Sequence, residues 1–338
     1  MKHNRTIAGF LAGALLCVLA AGACIRMPLY DREKQLELKL ELKLELDVDI
    51  DIEIAHDVGL PTHIEMPEHM KCCFFDPGTG NLSYTEFVGP NGGAINAATG
   101  TYNMLIYNFG TEYIQIRGEN NINTMEAFTS DITATKRMDL AKFYAPTKAE
   151  GDGELDEMPD EPIIWAPDHL LVAKQEVEIP EFAGESQTIV IHSAAKTIVE
   201  TYSFEVKTVT GTENIKSVDA FVTNQAVSYF VGKGEANPQP ATIYFPIAVD
   251  LKKGCLYTTF NTFGKLPGES KAFLHILVQD LNGDYMPITV DITAQFEKPD
   301  KHIIVEEPIV VPDPESRAGG IAPTVDPWKN QNIDVPIG

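Results

Sequence analysis

Basic residues are scarce in this chain. There are 26 Lys and Arg against 49 Asp and Glu among 338 residues, a formal charge of −23. That balance repels phosphate backbones and anionic headgroups, which excludes nucleic acid as a partner and electrostatic adhesion as a route to a membrane. Cysteine is sparse too, with five residues. Cys17 and Cys24 fall in the N-terminal apolar region, which leaves Cys72, Cys73 and Cys255, an odd set that makes no disulfide framework. Cys72 and Cys73 are adjacent in MKCCFF; on a strand they face opposite sides, so buried free thiols are expected rather than a bridge. Trp165 and Trp328 are too few and too far apart to suggest a sugar-stacking platform.

Catalytic signatures are missing as well. The sequence has no P-loop, no G-x-S-x-G elbow and no HExxH. Ser186 and Ser270 follow Gly-Glu but sit in no nucleophile motif. Carboxylates are so numerous that no pair stands out as a glycosidase dyad. His63, His69, Cys72 and Cys73 lack the spacing of paired zinc ligands. Asp280, Asn282 and Asp284 have oxygens that suit calcium, but an Asn-Gly hairpin turn explains the same residues. No catalytic, cofactor-binding or metal-binding residue is assigned, and the chain is not expected to be an enzyme.

Long apolar runs are absent after residue 23. Before it, Lys2 and Arg5 lead into an uncharged, mostly apolar stretch from Ile7 to Ala23 that ends in Ala21-Gly22-Ala23. A positive start, an apolar middle and small residues at the end make residues 1–23 a secretory signal peptide. Cys24 follows at once, and the arrangement resembles a lipobox, in which that thiol is acylated and becomes the new N-terminus. Cys24 is therefore the expected lipidation site. The protein is expected to be exported and anchored to a membrane by lipid rather than to span it.

The clearest structural pattern is Leu36–Ile54, LELKLELKLELDVDIDIEI. Every even position is Leu, Val or Ile and every odd one is charged, the period of a half-buried β-strand. Further strands are expected at Lys71–Phe75, Leu82–Val88, Gly100–Phe109 and Glu112–Arg117. Asp76-Pro77-Gly78 and Gly89-Pro90-Asn91-Gly92-Gly93 read as turns or loops. Thr124–Asp139 has room for a short helix. After the acidic, Pro- and Gly-containing segment 146–162, strand patterns recur from Leu170 to Glu306, and Asn282-Gly283 marks a hairpin. The expected fold is all-β, two tandem β-sandwich domains after a lipoprotein signal. The expected division is a signal peptide at 1–23, a tether at 24–35, an N-terminal sandwich at 36–145, a linker at 146–162, a C-terminal sandwich at 163–300 and a Pro-rich segment at 301–338.

The lipobox, the alternating Leu/acid strand and the blocks 100–119 (GTYNMLIYNFGTEYIQIRGE), 126–133 (EAFTSDIT), 166–172 (APDHLLV), 260–270 (FNTFGKLPGES) and 319–328 (GGIAPTVDPW) together resemble a Bacteroidales lipoprotein family, a domain of unknown function. In layout that family is similar to fimbrillin-type proteins. The resemblance implies transthyretin-like sandwiches, export as a lipoprotein to the outer membrane and cell surface, and assembly with pilin-like subunits by β-strand complementation. Fimbrillins that polymerise are cut at an Arg beyond the lipid-bearing cysteine. Arg26 and Arg32 both precede the long first strand, so cutting there would remove the lipid but no strand. That departure implies a fimbrial anchor or accessory subunit that keeps its lipid. The alternative is a surface lipoprotein that binds glycans or host proteins, for which exposed aromatics on one sandwich face are the distinguishing feature.

Overall fold

The structure, a computed structural model, describes residues 35–45, 67–132, 134–143, 160–181, 189–251, 253–266, 268, 271–299 and 301–313; of the first segment it describes only the side chains of Lys39, Leu40 and Glu41. Chain order begins with β1 (Gln35–Glu45), β2 (Met70–Phe75), β3 (Leu82–Val88), β4 (Gly92–Ala98), β5 (Gly100–Asn108), β6 (Ile114–Arg117), β7 (Glu126–Thr129) and helix α1 (Ala134–Ala141). There follow β8 (Ile163–Trp165), β9 (Leu171–Ile179), β10 (Ile189–Thr197), β11 (Glu200–Val206), β12 (Val209–Thr210), β13 (Ile215–Ala226), β14 (Ser228–Phe230) and β15 (Glu235–Ala236). Last come β16 (Pro240–Pro246), β17 (Ala248–Asp250), β18 (Cys255–Thr262), β19 (Phe273–Asp280), β20 (Tyr285–Asp291), β21 (His302–Val305) and β22 (Ile309–Val310). The all-β expectation holds.

Seven strands form one sheet in the order β3-β2-β5-β9-β10-β1-β4. Its two outermost strands, β3 and β4, are joined by a turn closed by the Gly92 N–H donating to the Gly89 carbonyl at 3.0 Å. A connection that short between opposite margins requires the sheet to roll until they meet. Leu40, Phe74, Ile95, Met104, Ile106 and Ala195 fill the inside of the roll. The outer face of β2 and β5 is buried as well, through Cys73, Phe75, Leu105 and Tyr107 under the four-stranded sheet β15-β14-β7-β6. This explains why MKCCFF is an unbroken apolar run: a strand covered on both faces has no polar side to alternate. The β2–β3 turn is held by Asp76, whose Oδ1 accepts from the Thr79 N–H at 2.7 Å and the Gly78 N–H at 3.1 Å.

The remaining strands build a two-sheet sandwich. The sheet β20-β19-β13-β16-β8 faces β17-β18-β11-β21, with the short pair β12-β22 beside them. Phe204, Val222, Ile243, Phe245, Phe260, Leu274 and Ile303 form the centre, where the Phe245 and Phe260 rings stack at 4.5 Å. On the outer face of the five-stranded sheet, Leu140 of α1 and the following Phe143 cover Phe221, Tyr244 and Leu277.

Several expectations need correction. β9 and β10 lie in the rolled sheet, β9 beside β5 and β10 beside β1, so a unit starting at 163 does not match the strand pairing. The residues that pair with β5 are decided by long-range fit, which the alternation within 171–179 does not encode. β14 also crosses back to pair with β7. The expected Pro-rich segment from 301 begins with β21 and β22, which run parallel to β11 and β12. Gly92-Gly93, read as loop, opens β4, whose seven residues pair with Gln35–Glu41 of β1. Thr124–Asp139 holds β7 as well as the start of α1. Residues 46–54 of the alternating run and most of the acidic segment lie outside the described residues.

Candidate functional site

The sequence offers two elements for contact with partners: Cys24, and the long first strand. Cys24, Arg26 and Arg32 lie outside the described residues. β1 is not an open edge. It pairs in parallel with β10 from Leu38↔Ile189 to Glu45↔Lys196, and antiparallel with β4 from Gln35↔Ala98 to Glu41↔Gly92. Its alternation is expressed as expected at the described side chains, with Leu40 buried between exposed Lys39 and Glu41.

The open edges lie next door. β9 pairs with β5 over Val172–Ile179, yet meets β10 only at Leu171↔Thr197 and Val172↔Lys196. The two strands share a base and stand apart above it, which makes a wedge in the wall of the roll. Among the described residues no strand pairs with the facing edges 173–179 and 189–195. Backbone donors and acceptors on such edges are templates for an added strand. A cavity of about 890 Å³ opens beside the wedge, lined by Leu40, Gln175, His192, Ser193 and the β3–β4 turn. Ile189 and Ile191 point toward the interior cluster but are only half-buried, while Val190 on the outside is 44% exposed.

The charges around the wedge are mixed, with Lys174 exposed on β9 and Lys196 on β10 beside the glutamates of β9 and β1. Glu176 and Glu178 are exposed on β9. On β1, Lys39 donates to Glu41 at 2.9 Å and holds that carboxyl below the usual range, with His192 Nδ1 3.3 Å from its other oxygen. A strand that enters with apolar residues inward would match the interior side, where Ile189 and Ile191 are half-buried. The residues of β10 were missed as a site because Ile189-Val190-Ile191 reads as an ordinary strand; only the pairing register reveals its open edge.

The other candidates separate rather than converge. Cys72 lies in the interior cluster and Cys73 on the opposite face, as the strand period requires. Burial pushes their thiols up to about 12 and about 11. His69 is exposed, and His63, Ser186, Ser270 and Trp328 lie outside the described residues. Trp165 is packed between Tyr113 at 5.2 Å and Tyr244 at 4.9 Å. Around Asn282-Gly283, Asp280 Oδ1 accepts from the Asp284 N–H at 2.9 Å, and the Gly283 N–H donates to the Asp280 carbonyl at 3.0 Å. With Gly283 at φ 89°, these bonds account for the aspartates as turn residues. Among the described residues no group of three or more His, Cys, Asp or Glu is placed to hold a metal ion.

The fold and the wedge define an all-β protein whose sheet wall, among the described residues, is unpaired between β9 and β10 beyond their shared base. The chain belongs to the family described as "Domain of unknown function (DUF5119)", whose model matches residues 45–246. It is 23% identical over 312 residues to the "Putative fimbrium anchoring subunit Fim4B" of Bacteroides ovatus, covering 81% of this chain and 86% of that protein. It is also similar in fold to the crystal structure of a "putative adhesin" from Bacteroides ovatus, with a TM-score of 0.52, 20% identity, and 86% and 99% of the two chains covered. The fimbrial anchor protein Mfa2 of Porphyromonas gingivalis matches at a TM-score of 0.42 and 14% identity, over 76% of this chain and 83% of that one.

Proposed function

We propose that this chain is a non-enzymatic cell-surface lipoprotein, a fimbrial anchor or accessory subunit that binds a partner by accepting one of its β-strands. The observation that carries the reading is the wedge between β9 and β10, where two strand edges face a gap with no pairing strand among the described residues. Main-chain hydrogen bonds to both edges would supply affinity, and the half-buried Ile189 and Ile191 would select apolar side chains at alternate positions. The name of the Bacteroides ovatus relative, a fimbrium anchoring subunit, supports the same reading. In this scheme the signal peptide 1–23 is removed, Cys24 is acylated and held in the outer membrane, and residues 24–35 tether the folded part to the surface.

The test is site-specific photocrosslinking in the native bacterium. A crosslinker at Gln175, within the wedge, is compared with one at Glu213 on the far sandwich, and mass spectrometry reads both the captured peptides and the N-terminal acyl group. The reading expects pilin-like subunits crosslinked at Gln175 and not at Glu213, with Cys24 acylated. Capture of the same proteins at both positions, or of none at Gln175, contradicts strand acceptance. An unmodified Cys24 contradicts the anchor.

A further inference from the structure

A second surface, separate from the wedge, has the chemistry of a small-ligand site. Phe87 on β3, Lys71 on β2 and Tyr107 on β5 are aligned across three strands, Lys71 pairing with both of the others. They therefore share one face of the rolled sheet. Above that end of the sheet the chain from Phe109 to Glu119 curls back and encloses a cleft of about 320 Å³. Phe87 and Phe109 form its rim. They are 57% and 43% exposed, with ring centroids 5.3 Å apart and planes inclined at 65°. His69 lies against Phe109 at 6.4 Å.

The floor is polar, and its charges cancel. Lys71 Nζ lies 3.0 Å from both carboxylate oxygens of Glu119, and the hydroxyl of the buried Tyr107 donates to the same carboxylate. Lys71 is 18% and Glu119 37% exposed in their side chains, so the pair borders the cleft without being sealed off. Burial and the Glu119 carboxylate raise the Tyr107 phenol far above its ordinary range, so it remains a donor. An ammonium has three donors and a carboxylate about four acceptor sites, so this pair keeps capacity for a ligand that both donates and accepts.

We propose that this cleft binds a neutral saccharide. An anion would have to compete with Glu119 for Lys71, and a cation with Lys71 for Glu119, so the compensated floor favours an uncharged ligand. A purely apolar ligand would strip water from the ion pair and return no hydrogen bond. Sugar hydroxyls donate and accept at once and match the floor, while the C–H face of the ring covers Phe87. The cleft volume is at the small end of the ~300–1,000 Å³ of ligand sites, suited to one or two rings rather than to a long peptide. The proposal does not depend on strand acceptance at the wedge, which lies elsewhere on the rolled sheet.

The test uses the full mature chain from residue 24 on an array of neutral plant and host oligosaccharides with their sialylated and sulfated counterparts, followed by calorimetry on the strongest neutral binder. The variants are Phe87→Ala, Phe109→Ala and Glu119→Gln. Phe87 and Phe109 are exposed, so their removal should leave the melting temperature unchanged. The proposal expects binding of a neutral oligosaccharide, weakened at least tenfold by Phe87→Ala and by Glu119→Gln. It is overturned by the absence of neutral binding, by preference for the charged counterparts, or by neutral binding that Phe87→Ala leaves intact. Because Phe87→Ala keeps the fold, the last result cannot be mistaken for unfolding caused by Glu119→Gln.

Discussion

The two halves of this molecule use the same kind of element in different ways. In the C-terminal sandwich, β11 has β18 along its whole length on one side and β21 beside Ser203–Val206 on the other, and its inward residues meet a facing sheet. In the rolled sheet, β10 has β1 along one side and two residues of β9 on the other. Among the described residues the central strands of the sandwich are paired on both sides over most of their length, whereas β10 of the roll is paired on one side only except at its end. The difference teaches that strand content alone does not locate a binding edge. What locates it is the point where pairing stops while the strands continue.

The comparison can be sharpened first by core truncation. Phe260→Ala removes a ring stacked on Phe245 and Tyr202 in the sandwich centre and should cost about 3–5 kcal/mol in a denaturant titration. Ile191→Ala, at the half-buried lip of the wedge, should cost less than about 1.5 kcal/mol. Equal losses would mean that the roll is as tightly completed as the sandwich.

Acid should separate the halves next. His275 is buried on the outer face of the five-stranded sheet, with Nδ1 2.9 Å from Thr289 Oγ1 and the Phe143 ring at 4.8 Å. Burial lowers its pKa to about 3. Between that value and the ordinary ~6.5 the unfolded chain binds a proton that the folded chain refuses, so the stabilisation present above pH 6.5 is lost as pH falls toward 3. The effect should be on the order of a few kcal/mol. Melting curves from pH 7 to 4 should fall more steeply for the native protein than for His275→Gln, and parallel curves would remove His275 from the account.

A smaller loss should follow at the layer that covers the roll. Glu126 on β7 accepts from Arg117 Nε at 2.7 Å and from the Ser228 hydroxyl on β14, with Asn237 Nδ2 at 3.3 Å. Glu126→Ala leaves the buried Ser228 hydroxyl without its acceptor, although Asn237 Nδ2 still donates to Ser228 Oγ at 2.9 Å, and should cost about 2 kcal/mol by thermal melting. An unchanged melting temperature would show that this network does not hold β7 to β14. The mildest probe is thiol labelling. Cys72, Cys73 and Cys255 are buried thiols outside any disulfide, so a maleimide should react with none of them in the native protein and with all three in denaturant. Native-state reaction at Cys72 alone would show that the roll opens as far as its interior.

Much of the local structure was readable in advance. Leu82–Val88 is a strand with the expected bounds, Cys72 and Cys73 divide between two faces, and the Asn282-Gly283 turn joins β19 to β20. Period two and turn chemistry are local properties, so they survive in the sequence. β4 was not legible because GGAINAA has weak strand character and becomes a strand through its pairing with β1. The placement of β9 and β10 in the first sheet was hidden for a related reason: alternation states that a strand has an inside and an outside, not which strand lies beside it. The wedge and the aromatic cleft were hidden too, since one depends on where a register ends and the other on Phe87 of β3 meeting Phe109, just past the end of β5.

The central claim, that β9 and β10 leave an open slot with no pairing strand among the described residues, is tested most directly by residue-resolved amide hydrogen exchange on the purified protein. The account predicts that alternate amides in 173–179 and 189–195, those turned away from β5 and β1, exchange much faster than the amides of Ser203–Val206 in the sandwich, which have a partner strand on each side. Uniform slow exchange through both segments would contradict it, because the edges of the wedge would then already be paired.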